Sequence, residues 1–460
     1  MGIMTAYKTV NPATGETLKE FPEATAKEIE AALADSHAAF QSWRHSAVAD
    51  RSAVLRRVGE LYQERKDELA RIISLEMGKP FRQAQGEIDI VTTIYRYYAD
   101  EGPGFLADEE LSVSGGGTAV VRTTPLGSLL GIMPWNYPYY QVARFAAPNL
   151  MLGNTILLKH APSCPQAALA MERIFADAGL PAGCYINVFA TNEQVADIIA
   201  DPRNQGVSLT GSERAGSAVA EIAGRNLKKC VLELGGSDAF ILLDTEDVAK
   251  AAKMAAAGRL GNAGQACNSP KRFMVQQDIY EDFVRELTAA VSAVQPGDPL
   301  DPKTRFGPLS SQAAADRLLE QLKDAIDKGA TVHTGGGRVD GPGAYVQPTV
   351  LTGITPEMRA YTEELFGPAA VVYPVADEDE AVELANSSPY GLGGAVWSQD
   401  VEKAKSVADR LETGMVWING LSGTQADLPF GGIKRSGIGR ELGKYGMAEF
   451  VNKKLIRVER

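Results

Sequence analysis

The chain has 460 residues, and its 46 Lys+Arg against 58 Asp+Glu give a formal net charge of -12. That length predicts two to three domains. The acidic balance excludes nucleic acid as a main partner, because a phosphate backbone calls for a basic face. The four cysteines (Cys164, Cys184, Cys230, Cys267) are widely spaced with no C-x-x-C pair, and there are only four histidines, so no metal site is expected and the thiols fit a reducing cytoplasm. The opening MGIMTAYKTVNPATGE has no basic stretch leading into an apolar core, so no signal peptide is expected, and Gly2 is not read as a myristoylation site. No apolar run reaches the ~18 residues that a membrane span requires.

In chain order, residues 24–46 and 50–77 read as amphipathic helices. Ala31, Ala32, Ala38 and Phe40 recur on one face of the first, and Val54, Leu55, Val58 and Leu61 on one face of the second. Residues 112–124, which carry Gly115, Gly116 and Gly117, read as an extended strand. From about 126, short apolar runs at 129–133, 155–158, 185–188, 207–209, 231–234 and 239–243 alternate with helical stretches, which predicts βαβ units and a parallel sheet. A second alternation comes next, with strands at 272–275, 370–373, 394–397 and 415–418, and the run 453–458 reads as a terminal strand. Two α/β domains in series are expected. Open strands at 112–124 and 453–458 need a partner, which predicts an oligomer.

Several motifs sit where strands end. Gly264-Gln265-Ala266-Cys267 brings glycine close to a cysteine that, on its own, also fits an inert buried thiol. Glu233 in Glu233-Leu234-Gly235-Gly236 lies near a strand's carboxyl end, where α/β sheets bind ligands; burial there raises a carboxyl toward the range of a general base, whereas an edge position leaves it a plain surface glutamate. Asn136 in Pro134-Trp135-Asn136-Tyr137-Pro138 offers an amide for an oxyanion, or simply a cap. Lys159 comes after the next strand and suits ribose hydroxyls or a phosphate. Thr210-Gly211-Ser212 turns a strand into a helix and aims N–H groups at an anion, although it is neither a G-x-G-x-x-G fingerprint nor a P-loop. Glu363-Glu364-Leu365-Phe366-Gly367-Pro368 places a carboxylate pair beside an aromatic.

Taken together and in this order, with Cys267 lying 34 residues beyond Glu233 and Pro429–Glu441 reading PFGGxKxSGxGRE, the motifs resemble the aldehyde dehydrogenase superfamily over nearly the whole chain. The resemblance implies an α/β fold with a Rossmann-like cofactor domain (1–106 and 126–235), an α/β catalytic domain (236–435) and a small β oligomerisation extension (107–125 and 436–460). It implies Cys267 as nucleophile, Asn136 with the Cys267 N–H as oxyanion hole, Glu233 as the base that activates water, and Glu441 as a proton relay. Lys159 and Glu364 would hold the two riboses, Gly211 and Ser212 would meet the pyrophosphate, and Trp135 and Phe366 would line the cofactor cleft. The product would be a carboxylic acid, formed through a thiohemiacetal and a thioester with NAD or NADP and no metal.

Within the superfamily, WNYPYYQVARFAAP, LLKHAP and LKKCVLELGGSD are most similar to bacterial succinate-semialdehyde dehydrogenases. Arg144, eight residues after Asn136, stands where that group carries an arginine for the substrate's distal carboxylate; a structural salt bridge is the competing reading. A second arginine common in the group is Gly261 here, with Arg259 two residues earlier, and a channel serine is replaced by Thr424 or Gln425. Tyr137, Tyr139 and Tyr140 also suit other aliphatic or aromatic aldehydes. Pro162 stands where strict NAD users have a glutamate, so a 2′-phosphate meets no repulsion and has Lys159 and Ser163 beside it. A homodimer or homotetramer is implied. A nicotinamide-independent cysteine esterase or acyltransferase is the rival class, and it lacks a recognisable Cys-His arrangement.

Overall fold

In the computed structural model of the chain, which describes residues 7–459, a six-stranded sheet carries the first alternation as far as 231–234, whereas the run expected at 239–243 lies in the second sheet. The opening segment with Gly2 lies outside the described residues. In spatial order the strands are Gly437–Ile438, Lys229–Glu233, Asn204–Thr210, Ser128–Met133, Thr155–His160 and Tyr185–Asn187. The last five pair in parallel, and Gly437–Ile438 is antiparallel. The chain therefore starts in the middle of the sheet, moves outward through Thr155–His160, and returns to the other side of Ser128–Met133 with Asn204–Thr210. This is a Rossmann-like order, with its switch point between Ser128–Met133 and Asn204–Thr210, and ligands bind at the carboxyl ends of strands flanking such a point. Ser128–Met133 reads SLLGIM without alternation because helices cover both of its faces.

The second sheet has seven strands, in the order Thr331–Thr334, Thr349–Thr352, Ala369–Val375, Pro270–Gln276, Asp238–Leu242, Gly393–Trp397 and Met415–Ile418. Only Thr331–Thr334 runs antiparallel. A third, three-stranded antiparallel sheet joins Val451–Val458 to Thr118–Pro125 and Glu109–Leu111. Leu111, Leu455 and Val458 are exposed on it.

Four other sequence expectations change. The helix expected over 50–77 is two helices, Val48–Glu64 and Lys66–Met77, because Arg65 leaves helical geometry at φ -103, ψ 18. The strand expected over 112–124 begins at Thr118, since Gly115, Gly116 and Gly117 all take positive φ and turn the chain back from Glu109–Leu111. The helix Phe81–Phe105 has no counterpart among the expected elements: its run IVTTIYRYY has strand-like composition, but Ala84, Ile88, Val91, Tyr95 and Tyr98 form one buried stripe at helical spacing. Gly437–Ile438, placed by sequence in the terminal extension, adds to the first sheet.

Candidate active site

A cavity of about 250 Å³ opens at the switch point of the first sheet. Three parallel strands deliver half of its wall: Pro134, Trp135 and Asn136 come directly after Ser128–Met133, Thr210, Gly211 and Ser212 lie at the end of Asn204–Thr210, and Leu234 and Gly235 come directly after Lys229–Glu233. Cys267, Glu364 and Phe366 come from the second half of the chain. Trp135 and Phe366 meet edge-to-face at 5.7 Å across the cleft. Ser212 caps the helix Glu213–Arg225, accepting from the Ala215 N–H at 3.4 Å, so that helix presents its positive end here. Arg317 and Gln321 of the helix Gln312–Asp327 also line the cavity; sequence reading missed them because nothing local distinguishes that amphipathic helix.

Cys267 also lines a second cavity of about 300 Å³, with Gln83, Glu87, Tyr137, Tyr140, Asn268, Ser422 and Thr424 in its wall. The thiol therefore stands at the junction of two chambers. Burial pushes the thiol up to about 12, against the opposing pull of Arg144 and Lys271. The turn that delivers it is unusual: Asn262 and Ala263 are both left-handed, at φ 51 and 53. Such residues cost of order 1 kcal/mol each and persist where surroundings enforce them. Asn262 supplies that enforcement, donating from Nδ2 to the carbonyls of Asn136 at 3.0 Å and Gln265 at 3.2 Å. Asn136 in turn donates from its own Nδ2 to the Gln265 carbonyl at 3.1 Å. One N–H of that amide is committed, which leaves the other for a ligand.

The ELGG glycines are explained by close approach. A Cβ on Gly236 would stand 2.7 Å from the Cys267 carbonyl oxygen, and one on Gly235 would collide with Glu364 Oε2. Only hydrogen at these positions lets the Glu233 strand, the Cys267 turn and the Glu364 loop converge.

Glu233 is buried, and both of its carboxylate oxygens lack a hydrogen-bond partner among the described residues. Burial raises its pKa well above the usual carboxylate range, and Glu441 raises it further while Arg144 and Arg440 oppose. Its side chain lies over Gly431 and lines neither cavity. Its charge nevertheless bears on the Cys267 thiol.

Arg144 departs from the role expected of it. It is fully buried and lines neither cavity; Nε pairs with Glu441 Oε2 at 2.7 Å, so the salt-bridge reading holds for this side chain. It reaches the second cavity through two of its wall residues: its guanidinium lies 4.4 Å from the Phe430 ring centroid, and Nη1 donates to the Tyr140 hydroxyl at 3.3 Å; that hydroxyl is 2.8 Å from Thr424 Oγ1. Arg259 also lies away from both cavities. Its guanidinium donates to the carbonyls of Gly264, Leu365, Gly367 and Ala369 and to Ser269 Oγ, which ties the Cys267 turn to the Glu364 loop.

The chemistry of the donor set fits a dinucleotide. Glu364 uses Oε1 for Lys271 and the Gly236 N–H and leaves Oε2 uncommitted beside the cleft. Lys159, at the end of its strand, has no ion pair or hydrogen bond among the described residues; its Nζ is 5.7 Å from the Tyr7 ring, and burial pushes its pKa down to about 8. A buried ammonium without an anion is destabilising until one arrives. Lys159, Pro162 and Ser163 lie outside the 250 Å³ chamber, beyond its Trp135 side in the chain. No group of His, Cys, Asp or Glu able to hold a metal occurs among the described residues.

Comparison with known proteins agrees with this geometry. The aldehyde dehydrogenase family model matches residues 3–456. The chain is 59% identical over 451 residues, covering 98% of this chain and 94% of the relative, to a Deinococcus radiodurans protein named succinate-semialdehyde dehydrogenase [NADP(+)]. It is 45% identical to succinate-semialdehyde dehydrogenase [NADP(+)] 1 of Mycobacterium ulcerans, over 98% of this chain and 99% of the relative. A crystal structure of succinic semialdehyde dehydrogenase from Streptococcus pyogenes, in complex with NADP+, superposes with a TM-score of 0.97 at 43% identity, over 99% of this chain and 100% of the other. This chain belongs to the aldehyde dehydrogenase family.

Proposed function

We propose that the protein oxidises succinate semialdehyde to succinate with NADP+, tolerating NAD+, through a thioester on Cys267. The observation that carries this reading is the position of Cys267 between a cleft at the switch point of a Rossmann-like sheet and a second chamber lined by hydroxyls and amides. Ser212, Glu364 and Phe366 would hold the cofactor in the first chamber, and Lys159, with Pro162 and Ser163 beside it, would hold the adenosine end. When bound, the nicotinamide supplies a hydride acceptor.

The protein's own residues supply the rest. Cys267 Sγ attacks the aldehyde carbon and carries the acyl group as a thioester. The developing oxyanion is met by the free N–H of Asn136 and the Cys267 main-chain N–H. Glu233 removes a proton from the water that releases the acid, and its raised pKa suits that task. Glu441 lies behind Glu233 as the next proton acceptor, with Arg144 balancing the pair of carboxyls.

The distal carboxylate is recognised indirectly. Arg144 donates to the Tyr140 hydroxyl, which is bonded in turn to the Thr424 hydroxyl, so a hydrogen-bonded chain runs from the guanidinium to the wall of the second chamber. Asn268 and Ser422, joined at 2.9 Å, complete a donor-rich wall. Steady-state kinetics with succinate semialdehyde, butanal and benzaldehyde, each with both cofactors, tests the assignment. A kcat/KM for succinate semialdehyde no higher than for butanal rejects it.

We assign residues 1–106 and 126–235 to the cofactor domain, 236–435 to the catalytic domain, and 107–125 with 436–460, apart from Gly437–Ile438 of the first sheet, to an extension that pairs subunits in a homodimer or homotetramer. The exposed apolar side chains on the three-stranded sheet support that pairing. Four free cysteines and no helix long and apolar enough to cross a membrane, among the described residues, support a cytoplasmic location.

A further inference from the structure

Lys271 is 1% exposed and lines neither chamber. Its Nζ donates to the carbonyls of Ala266 at 3.0 Å, Cys267 at 2.8 Å and Ser269 at 3.3 Å, and pairs with Glu364 Oε1 at 3.1 Å. Three of these acceptors are the main chain of the nucleophile's own turn. The fourth belongs to a carboxylate whose other oxygen faces the cofactor cleft. An ammonium has three N–H bonds, so the four acceptors compete for them, and whatever engages Glu364 alters the hold on the Cys267 carbonyl. Gly236 closes the far side of that carbonyl, since a Cβ there would stand 2.7 Å from it. A lysine present only to neutralise Glu364 would need no bonds to the turn, and one present only to satisfy carbonyls would need no carboxylate.

We propose that Lys271 is a positioning residue that couples the two chambers, tying the Cys267 main chain, and with it the N–H offered to the oxyanion, to the cofactor-facing carboxylate of Glu364. The proposal rests on the reading of Cys267 as nucleophile and Glu364 as a cofactor contact. The electrostatics point the same way: Lys271 favours the Cys267 thiolate, and Glu364 disfavours it.

The test is iodoacetamide alkylation of Cys267 in cofactor-free enzyme, read by peptide mass spectrometry and run beside kcat, KM for NADP+ and a thermal melt. The thiol titrates far above neutral pH, so the alkylation rate near neutrality scales with the thiolate fraction. Lys271→Gln is expected to slow alkylation roughly tenfold, the equivalent of one pKa unit, and to raise KM for NADP+. Glu364→Gln is expected to speed alkylation, because it frees the Lys271 charge. Coupling makes the two effects non-additive, so Glu364→Gln should change the rate less in the Lys271→Gln background than alone; additive effects, or a rate per folded molecule that Lys271→Gln leaves unchanged, overturn the proposal. If Lys271→Gln does not fold, Lys271→Met takes its place in the same comparison with Glu364→Gln. Alkylation needs no aldehyde, so a failed substrate assignment does not affect this result.

Discussion

Arg144 Nε lies 2.7 Å from Glu441 Oε2 in a pocket where their side chains are 0% and 5% exposed, and the guanidinium touches the second chamber's wall at Tyr140 and Phe430. Removing one partner of such a pair strands a buried charge, at a cost of roughly 3–5 kcal/mol. Arg144→Met is therefore expected to lower the melting temperature sharply, whatever the substrate. Tyr140→Phe separates recognition from stability. It keeps the ring and deletes the hydroxyl that links Arg144 to Thr424, so kcat/KM for succinate semialdehyde should fall about tenfold, in line with a lost hydrogen bond to a charged group. Butanal, which has no carboxylate, should be affected by less than about twofold; an equal loss for both aldehydes removes the hydroxyl relay from the account.

As the proposed base, Glu233 would act in its ionised form, so turnover limited by thioester hydrolysis should rise with pH through its titration. That limb lies above the ordinary carboxylate range, because burial and Glu441 both disfavour the charge. Glu441→Gln removes the neighbouring negative charge and frees Arg144 to act on Glu233. Both changes lower the Glu233 pKa, so the acid limb of kcat should move to lower pH. Glu233→Gln should release one equivalent of reduced cofactor and then stall. A Glu233→Gln enzyme with neither that first turnover nor steady activity would place Glu233 before hydride loss instead.

The strand ends were legible because each chemical motif terminates an apolar run: Met133 precedes Pro134-Trp135-Asn136, Leu209 precedes Thr210-Gly211-Ser212, and Glu233 precedes its glycines. Order along the chain was enough to predict a parallel sheet. The partners of these residues were not legible, since burial of Arg144 against Glu441 joins positions 297 residues apart (441 - 144), and no local pattern records a crossover of that length. The same holds for Lys271, whose sequence context PKRF reads as the start of a buried strand. Phe81–Phe105 was hidden by its β-branched and aromatic composition, which packing against Val48–Glu64 and Pro138–Leu152 overrides.

Lys159 gives a prediction about cofactor choice. With its pKa pushed down to about 8, it carries its charge below that value and loses it as pH rises. An anionic phosphate binds the charged form. The Kd of the free enzyme for NADP+ should therefore be flat between the second ionisation of the 2′-phosphate, at about pH 6, and about pH 8, and weaken above it, approaching tenfold per pH unit. Isothermal titration across that range reads the break directly. Lys159→Met should abolish the break and weaken NADP+ more than NAD+; an unchanged preference would show that Lys159 meets a ribose and not the 2′-phosphate.

Asn262 tests how far the left-handed turn matters to catalysis. Its amide joins the Asn136 carbonyl to the Gln265 carbonyl, so the oxyanion loop and the nucleophile turn move as one piece. Asn262→Asp keeps the shape and the tolerance for positive φ but replaces the donor with an acceptor facing two carbonyls. Asn262→Gly keeps the backbone freedom and deletes the amide altogether. If the amide positions Asn136, both variants should lower kcat by about tenfold or more, since misplacing one oxyanion donor has that scale of effect, while KM for the aldehyde changes little. If the residue matters only for folding the turn, Asn262→Gly should retain kcat, because glycine adopts φ 51 without strain, and only Asn262→Asp should lose stability in a thermal melt.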